Sequence, residues 1–470
     1  MADGDQHYSF SNPERDKPSI RGVLWPVVYP PDISRYLALQ HYLKKSEFFA
    51  SKKIRELQFK QLEILLNHSV RTVPYYRSLY KQHDIKPQKE LDREMWSSLP
   101  ILKREVLQKQ YEQLVSINIP EIHGNNFSTL TSGSTGTPVK VLKTSLVQFF
   151  WNSIKLRDHD WHKRDTDGKK HASIRFVEDK GKANPPDGLL FNSWGYPLNW
   201  LSPPGTTSLL SIESTITEQL EWLYKQNPHY LLSNPSNLFA LAQSYEKDKR
   251  VIKNLEQLIA ISETLDPDVR EYCEAVFNVP IKDIYSSQET GYLALQCPEY
   301  NHYHVQSETI FLEVLNENNE ACRPGEIGKI VVTPLHNFAM PLIRYEIGDY
   351  AEVGKPCSCG RGLPVLKRLY GRVRNMLTLP SGEKIWPRIR TQYYAKETNA
   401  DITQAQLIQH SLEDVEVKLV INKPLNNEQQ TILTKFIQEA LGYPFNIRYK
   451  FLDNIPRSKS GKFEEFISKV

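Results

Sequence analysis

Thr131-Ser132-Gly133-Ser134-Thr135-Gly136-Thr137-Pro138, directly after Phe127-Ser128-Thr129-Leu130, is the stretch on which the reading of this chain turns. Its two glycines let the backbone approach an anion closely, exposed N–H groups form a concave donor surface, and the hydroxyls add donors around phosphate oxygens. The Gly-Lys-[Ser/Thr] ending of a Walker loop is missing, so the usual NTPase reading fails. Taken alone, a Ser/Thr/Gly run is more often a flexible linker. The segments on either side decide between the two.

Downstream, from about Thr206, short apolar strands alternate with amphipathic helices. Residues 207–212 predict a strand, and Thr215 with Glu218 forms a capping box ahead of a helix carrying Ile216, Leu220, Leu223 and Tyr224. Residues 230–232, 258–261 and 281–285 predict further strands, with helices after Ser236 and from Asp266-Pro267. This alternation implies right-handed βαβ crossovers and a parallel sheet, hence an α/β fold. Ser233-Asn234, Ser262-Glu263-Thr264 and Ser286-Ser287-Gln288-Glu289 follow the carboxyl ends of three predicted strands, where open α/β sheets bind ligands. Upstream, Leu57, Leu62, Leu65 and Leu66 recur at helical spacing until Val73-Pro74-Tyr75-Tyr76 interrupts them. Towards the end of the chain, residues 415–420 and 447–451 predict strands. Between them a helix carries Ile432, Leu433, Phe436, Ile437 and Leu441 and stops at Gly442, a small α+β unit that ends in the loop 456–462.

With 470 residues, the chain is expected to form about two to four domains. Its 59 basic and 55 acidic side chains leave a net charge of +4, which argues against nucleic acid as a partner. Met1-Ala2-Asp3-Gly4-Asp5 is acidic and polar where a secretory signal would be basic and then apolar. No apolar run approaches the ~20 residues a bilayer requires, so the expected location is cytoplasmic and away from the membrane. Five cysteines do not make a disulfide framework in such a chain. Cys357 and Cys359 lie in a Gly/Pro-punctuated loop, and Cys297 precedes His304 by seven positions. Three thiolates and one imidazole match a tetrahedral structural Zn2+ site, with His302 as a competing ligand. The alternative is four unlinked residues; Cys273 and Cys322 stand apart.

Five blocks occur in order: the loop 131–138, Asp283-Ile284-Tyr285-Ser286-Ser287-Gln288-Glu289, Arg344-Tyr345-Glu346-Ile347-Gly348-Asp349, Gly371-Arg372, and Ser460-Gly461-Lys462. Together they resemble the adenylate-forming (AMP-binding) enzyme superfamily. Thr72-Val73-Pro74-Tyr75-Tyr76-Arg77, Ala339-Met340-Pro341-Leu342-Ile343-Arg344-Tyr345 and Cys357-Ser358-Cys359-Gly360-Arg361 resemble the phenylacetate–CoA ligase branch, and more closely its CapK-like members. The resemblance covers nearly the whole chain. It implies a large N-terminal domain (1–371, helical to about 120) built on parallel-sheet βα layers, a hinge at 372–376, and a small mobile α+β C-terminal lid (377–470). It also strengthens the zinc reading, because relatives carry a comparable cysteine-rich element.

The implied reaction uses ATP and Mg2+ to convert a carboxylic acid into an acyl-adenylate with release of pyrophosphate. The acyl group then passes to a thiol of coenzyme A or of a carrier protein's phosphopantetheine arm. Residue by residue, the resemblance has Thr131, Ser132, Gly133, Ser134, Thr135 and Gly136 hold the β- and γ-phosphates, Gln288 the α-phosphate and Glu289 the magnesium. Tyr285 lies against adenine beside Ile284, Asp283 reads its amino group, and Ser262, Glu263 and Thr264 form the opposite wall. Asp349 takes the ribose hydroxyls, Arg372 marks the swivel, and Lys462 bridges carboxylate and α-phosphate. Trp194, Gly195, Tyr196, Asn234, Ala260, Ser286 and Ser287 line the acid pocket, compatible with an aryl or medium acyl group. Two departures stand out: Val139 intervenes before Lys140, where the family often has lysine, and Arg374 replaces a common acidic residue at the swivel. Alternatives are an adenylate-forming amide synthetase, a nucleotidyl transferase, or a non-catalytic scaffold in a polysaccharide or natural-product pathway.

Overall fold

In the computed structural model the described residues are 19–23, 25–82, 91–130, 138–177, 183–201, 205–372, 376–387, 391–458 and 462–470. The chain divides into two units, one of Met1–Ile347 with Ala351–Leu369, the other of Gly348–Tyr350 with Tyr370–Val470. The expected hinge residues 373–375, including Arg374, lie outside the described residues.

Strands β1 (Asn126–Leu130) and β2 (Lys140–Thr144) form an antiparallel hairpin whose connection is the stretch 131–139. The large sheet takes β3 (His171–Arg175), β4 (Leu189–Phe191), β5 (Thr207–Ser211), β6 (Tyr230–Ser233), β7 (Gln257–Ile261), β8 (Ile281–Ser287), β9 (Gly291–Gln296), β10 (Tyr303–Val305), β11 (Ile310–Leu315), β12 (Ile327–Pro334), β13 (Tyr345–Val353) and β14 (Val365–Arg372). Their spatial order is β11-β12-β13-β14-β10-β9-β8-β7-β6-β3-β5-β4. The stretch β5-β3-β6-β7-β8 is parallel throughout, as the βα alternation predicts.

Burial on both faces explains why these parallel strands are almost continuously apolar. Ala172, Ile174, Leu231, Leu258 and Ala260 pack under Leu220, Trp222, Leu238 and Leu241 of the helices Ile216–Gln226 and Pro235–Lys247. Residues of opposite parity, Tyr230, Ile259 and Ile284, pack on Ile154 and Trp161 of Ser145–Trp161. The predicted capping box is present, with the Glu218 N–H donating to Thr215 Oγ1 at 3.2 Å and the Thr215 N–H donating to Glu218 Oε2 at 2.8 Å. The next helix begins at Pro235, ahead of the predicted Ser236. Near the amino end, Ser51–Thr72 stops at Val73 and Pro74–Gln82 starts a new helix, because Pro74 has no N–H to continue the first.

Buried Arg344, in the third motif block, is an anchor. Its guanidinium donates to the carbonyls of Ser97 and Leu99 at 2.6 Å each and pairs with Glu313 at 3.2 Å. These bonds tie the segment after Arg93–Ser98 to the sheet.

In the C-terminal unit a small hairpin, β15 (Leu377–Thr378) with β16 (Lys384–Ile385), precedes a four-stranded sheet. That sheet has β17 (Ile402–Gln409), β18 (Asp414–Ile421), β19 (Asn446–Phe451) and β20 (Phe466–Ser468) in the order β19-β18-β17-β20. Leu433, Ile437 and Leu441 of Asn427–Leu441 close its core against Val415, Val417 and Leu419. That helix ends as predicted on Gly442, at φ 71°, where a left-handed cap costs glycine least.

Candidate active site

Three parallel strands, β6, β7 and β8, bring their carboxyl ends to one edge of the large sheet, with Ser233 opposite Ala260 and Ile261 opposite Ile284. The chain leaves β7 through Ser262 at φ 75°, a left-handed backbone that a non-glycine residue adopts only when its surroundings hold it. Just beyond, the Glu263 carboxylate accepts from the Ser236 N–H at 3.0 Å and from Asn234 Nδ2 at 3.4 Å, at the amino end of Pro235–Lys247. A carboxylate there satisfies an orphan helix donor and complements the helix dipole.

Strand β8 runs two residues further than its apolar pattern predicts, so Ser286 and Ser287 belong to the strand. Gln288, Glu289 and Thr290 make the turn into β9. The Thr290 N–H donates to Ser287 Oγ at 3.1 Å, which closes that turn from within.

This turn is docked onto the hairpin that carries the 131–138 stretch. Lys143 Nζ donates to the Gln288 carbonyl at 2.6 Å, and Thr129 Oγ1 donates to the same oxygen at 3.4 Å. Buried Glu289 pairs through Oε1 with Arg104 Nη1 at 3.0 Å, and Arg104 also reaches the Tyr345 hydroxyl at 3.5 Å. Burial pulls the Lys143 ammonium down to about 8, against the opposing pull of Glu289. Two cations therefore surround one carboxylate at the stems of the glycine-rich stretch, an arrangement suited to an anionic ligand with its counter-cation.

Neither Lys143 nor Arg104 was among the candidates. Lys143 had a readable signal: it shares strand parity with Val139 and Val141, both fully buried, so a lysine there points inward. Arg104, at the start of the short helix Arg104–Lys109, has no comparable pattern. Lys140, the lysine displaced by Val139, is exposed and lies over the Tyr111 ring at 4.7 Å.

Several of the expected site residues are engaged in bonds or packing of the fold itself. Buried Asp283 directs Oδ2 to the Tyr303 hydroxyl at 2.6 Å and Oδ1 to the Ile284 N–H at 2.9 Å, so its carboxylate is an internal tie of the sheet. Burial raises its pKa to about 6. Ala260 is fully buried on the helix-covered face, because strand alternation turns it away from Ile259 and Ile261. The Glu263 side chain is committed to the helix start. Trp194 is buried, with its indole N–H donating to the Lys169 carbonyl at 2.9 Å. Gly195 and Tyr196 follow it, with Tyr196 edge-on to Tyr36 at 5.5 Å.

Thr131, Ser132, Gly133, Ser134, Thr135 and Gly136, and the Arg372 side chain, lie outside the described residues. Asp349 stands on β13, and Lys462 precedes β20 in the C-terminal unit.

A second cluster lies in the large unit. The donor atoms of Cys297, His304, Cys357 and Cys359 all fall within 4.8 Å of one another, a possible metal site. Cys297 Sγ is 3.9 Å from Cys357 Sγ, and Cys359 Sγ is 3.4 Å from His304 Nε2. His302 instead stacks on Tyr300 and is outside the group. The loop is packed by Gly362, where a Cβ would sit 1.8 Å from the Phe49 carbonyl oxygen. The Gly362 N–H donates to the Glu47 carbonyl at 2.9 Å, and Arg361 Nε reaches the Glu47 carboxylate at 3.1 Å.

Among described residues no helix is long and apolar enough to cross a membrane. A family model, the CapK C-terminal domain, matches residues 378–469. The chain is 23% identical over 421 residues to a phenylacetate-coenzyme A ligase of Thermus thermophilus, covering 85% of this chain and 88% of that protein. It is 22% identical over 426 residues to the protein CapK of Staphylococcus aureus, covering 87% of each. Among solved structures, a 2-hydroxyisobutyryl-CoA ligase in the postadenylation state superposes with a TM-score of 0.69 at 16% identity, over 91% of this chain and 92% of the other. That last likeness carries the fold.

If the chain forms acyl-adenylates, as the sequence resemblance implies, Lys143→Met should slow that step by about 10- to 100-fold, the worth of one hydrogen bond from a charged donor at roughly 1.5–3 kcal/mol. Single-turnover adenylation measured beside a thermal melt checks this. A melt as intact as the parent's with an unchanged rate would remove Lys143 from the site.

Proposed function

We propose that the chain, similar over most of its length to a phenylacetate-coenzyme A ligase and to the protein CapK, belongs to that branch of the adenylate-forming enzymes, activates a carboxylic acid with ATP and transfers the acyl group to a thiol. The observation that carries this reading is the docking of the Gln288-Glu289 turn onto the stems of the glycine-rich stretch by Lys143, Thr129 and Arg104. It brings phosphate-binding chemistry to the edge where the parallel strands end.

In the first step a carboxylate oxygen attacks the α-phosphorus of ATP. The new O–P bond forms as the bond from that phosphorus to the oxygen bridging to the β-phosphorus breaks, and pyrophosphate leaves with the electron pair. In the second step the thiol sulfur attacks the acyl carbon, its proton passes to solvent, and AMP leaves as the C–O bond breaks. The thiol is that of coenzyme A or of a carrier protein's phosphopantetheine arm.

Two anions must meet in the first step, so the work of the protein is electrostatic. Residues Thr131 to Gly136 hold the β- and γ-phosphates, Gln288 the α-phosphate, and Tyr285 lies along adenine. Asp349 accepts from the ribose, and Lys462 bridges the reacting groups. Glu289 is the residue to hold Mg2+, which when bound neutralises phosphate charge. Arg104 and Lys143 orient that carboxylate and its turn. A hinge at 372–376 lets the C-terminal domain withdraw Lys462 between the steps.

The Cys297, His304, Cys357 and Cys359 cluster is a structural zinc site in this proposal. Tetrahedral ligands at Zn–S of about 2.3 Å lie about 3.8 Å apart, and a sulfur and a nitrogen about 3.6 Å apart. The two separations of 3.9 and 3.4 Å match these values. With four protein donors the site has no open position and does no chemistry.

Carboxylate-dependent exchange of labelled pyrophosphate into ATP, with magnesium and a panel of aryl and aliphatic acids, tests the reading. Exchange with one acid class is the expected result. Silence across the panel while ATP still binds would sink it.

A further inference from the structure

The helix Ser145–Trp161 presents Trp151, Lys155 and His159 along one stripe, at i, i+4 and i+8. Trp151 begins the stripe beside the reaction centre: Lys143 Nζ lies 5.6 Å from its ring centroid, and Tyr292 of β9 packs on it at 5.0 Å. Lys155 is one turn further, about 6 Å along the helix axis. Its ammonium donates to the Trp194 carbonyl at 3.1 Å, in the segment assigned to the acid pocket.

Across from it, β3 ends in Arg175. Ala172 and Ile174 of that strand face the helix-covered side, so His171 and Arg175 face the side of Lys155 and Trp194. His171 and His159 rings both approach Trp194, at 5.2 and 5.4 Å.

Among the described residues these cations have no acidic partner. Among the described residues the Lys155 ammonium makes only the bond to Trp194, and the Arg175 guanidinium makes no hydrogen bond or ion pair. Arg175 is solvent-exposed, and partial desolvation lowers its pKa. Burial and then Arg175 lower Lys155 to about 8. Burial holds the imidazoles neutral, His171 at about 3, with Arg164 and Lys155 lowering both and Arg175 lowering His171 further. Burial makes the Lys155 ammonium costly unless an anion joins it, and the Arg175 charge adds to that cost.

We propose that Lys155 and Arg175 form a subsite for a second anionic group on the acid substrate, at the end of the pocket remote from the carboxylate that is activated. The substrate is then a dianionic acid, either a dicarboxylic acid or an acid bearing a phosphoryl group. Arg175 offers the planar fork that carboxylate and phosphate both fit, and Lys155 supplies a point charge. This inference rests on the adenylation reading and names the substrate class for that site.

Pyrophosphate exchange tests it on the full-length protein with short aliphatic and benzene dicarboxylic acids, their half-amides, and the matching phosphonocarboxylic acids. The expected kcat/KM for a dianionic acid exceeds that of its half-amide by at least about 100-fold, since a site built around paired groups rejects analogues that leave them unpaired. The dicarboxylic and phosphono arms tell which anion is taken. In Arg175→Gln and Lys155→Met the preference should collapse towards unity, chiefly through KM. Half-amides or simple monocarboxylic acids exchanging as well as the diacids in the parent protein would overturn the proposal without needing either variant. An undiminished preference in folded Arg175→Gln and Lys155→Met would overturn it too. Exchange with monoanionic acids alone leaves the adenylation reading standing, whereas silence with every acid fells both.

Discussion

Lys462→Ala should slow acyl-adenylate formation by about 10²- to 10³-fold, the usual cost of removing a group that meets developing charge. Thioester formation from supplied acyl-adenylate should continue, because AMP rather than pyrophosphate then leaves and the proposed hinge would withdraw the lysine. The variant keeps the local turn, since the Lys462 N–H donates to Ser458 Oγ at 3.2 Å and its carbonyl accepts from the Ser458 N–H at 2.8 Å, both through the backbone. Stopped-flow or quench measurements of the two half-reactions separate the outcomes. Equal loss of both would contradict a lysine that serves the first step alone.

Removing the proposed zinc ligands should have the largest effect on stability. Protein purified without a histidine tag is expected to contain about one zinc per chain. Cys357→Ser combined with Cys359→Ser should bring that near zero and lower the melting midpoint by roughly 10 °C, as loss of a structural metal belongs to the severe class of changes. The loop that would loosen holds Arg361 and Gly362 against Glu47, and Cys297 follows β9, whose first residue, Gly291, comes directly after the Glu289 turn. Activity should therefore fall as a consequence of loosening rather than of lost chemistry. Well under one zinc per chain in the parent protein would remove the site.

Much of the parallel sheet was readable because its signals are local. The capping box at Thr215, the proline at Pro74 and the glycine stop at Gly442 each act within a few residues, and each appears where its pattern places it. The four residues of the candidate metal cluster were readable for another reason, their chemical rarity, although they come from a β9–β10 hairpin and a distant loop. Side-chain direction was harder. Asp283 and Tyr285 share strand parity, but a carboxylate beside a tyrosine hydroxyl in the sheet interior is drawn to that hydroxyl. Ala260 and Glu263 were placed by nearness to a strand end, which says nothing about the face a residue occupies.

The sequence by itself determined the succession of strands and helices, the presence of a glycine-rich stretch and the ordered motif blocks, since each depends on residue type and short spacing. Only the tertiary structure decided which charges meet. Arg104, Lys143 and Glu289 are separated by 185 residues of chain between the first and last, yet stand within one contact of the Gln288 carbonyl or the Glu289 carboxylate. Lys155 feels the charge of Arg175, twenty positions on, and among the described residues neither has an acidic partner. Electrostatic partners are chosen by distance in space, and a linear chain does not carry that distance until the sheet has stacked its strands.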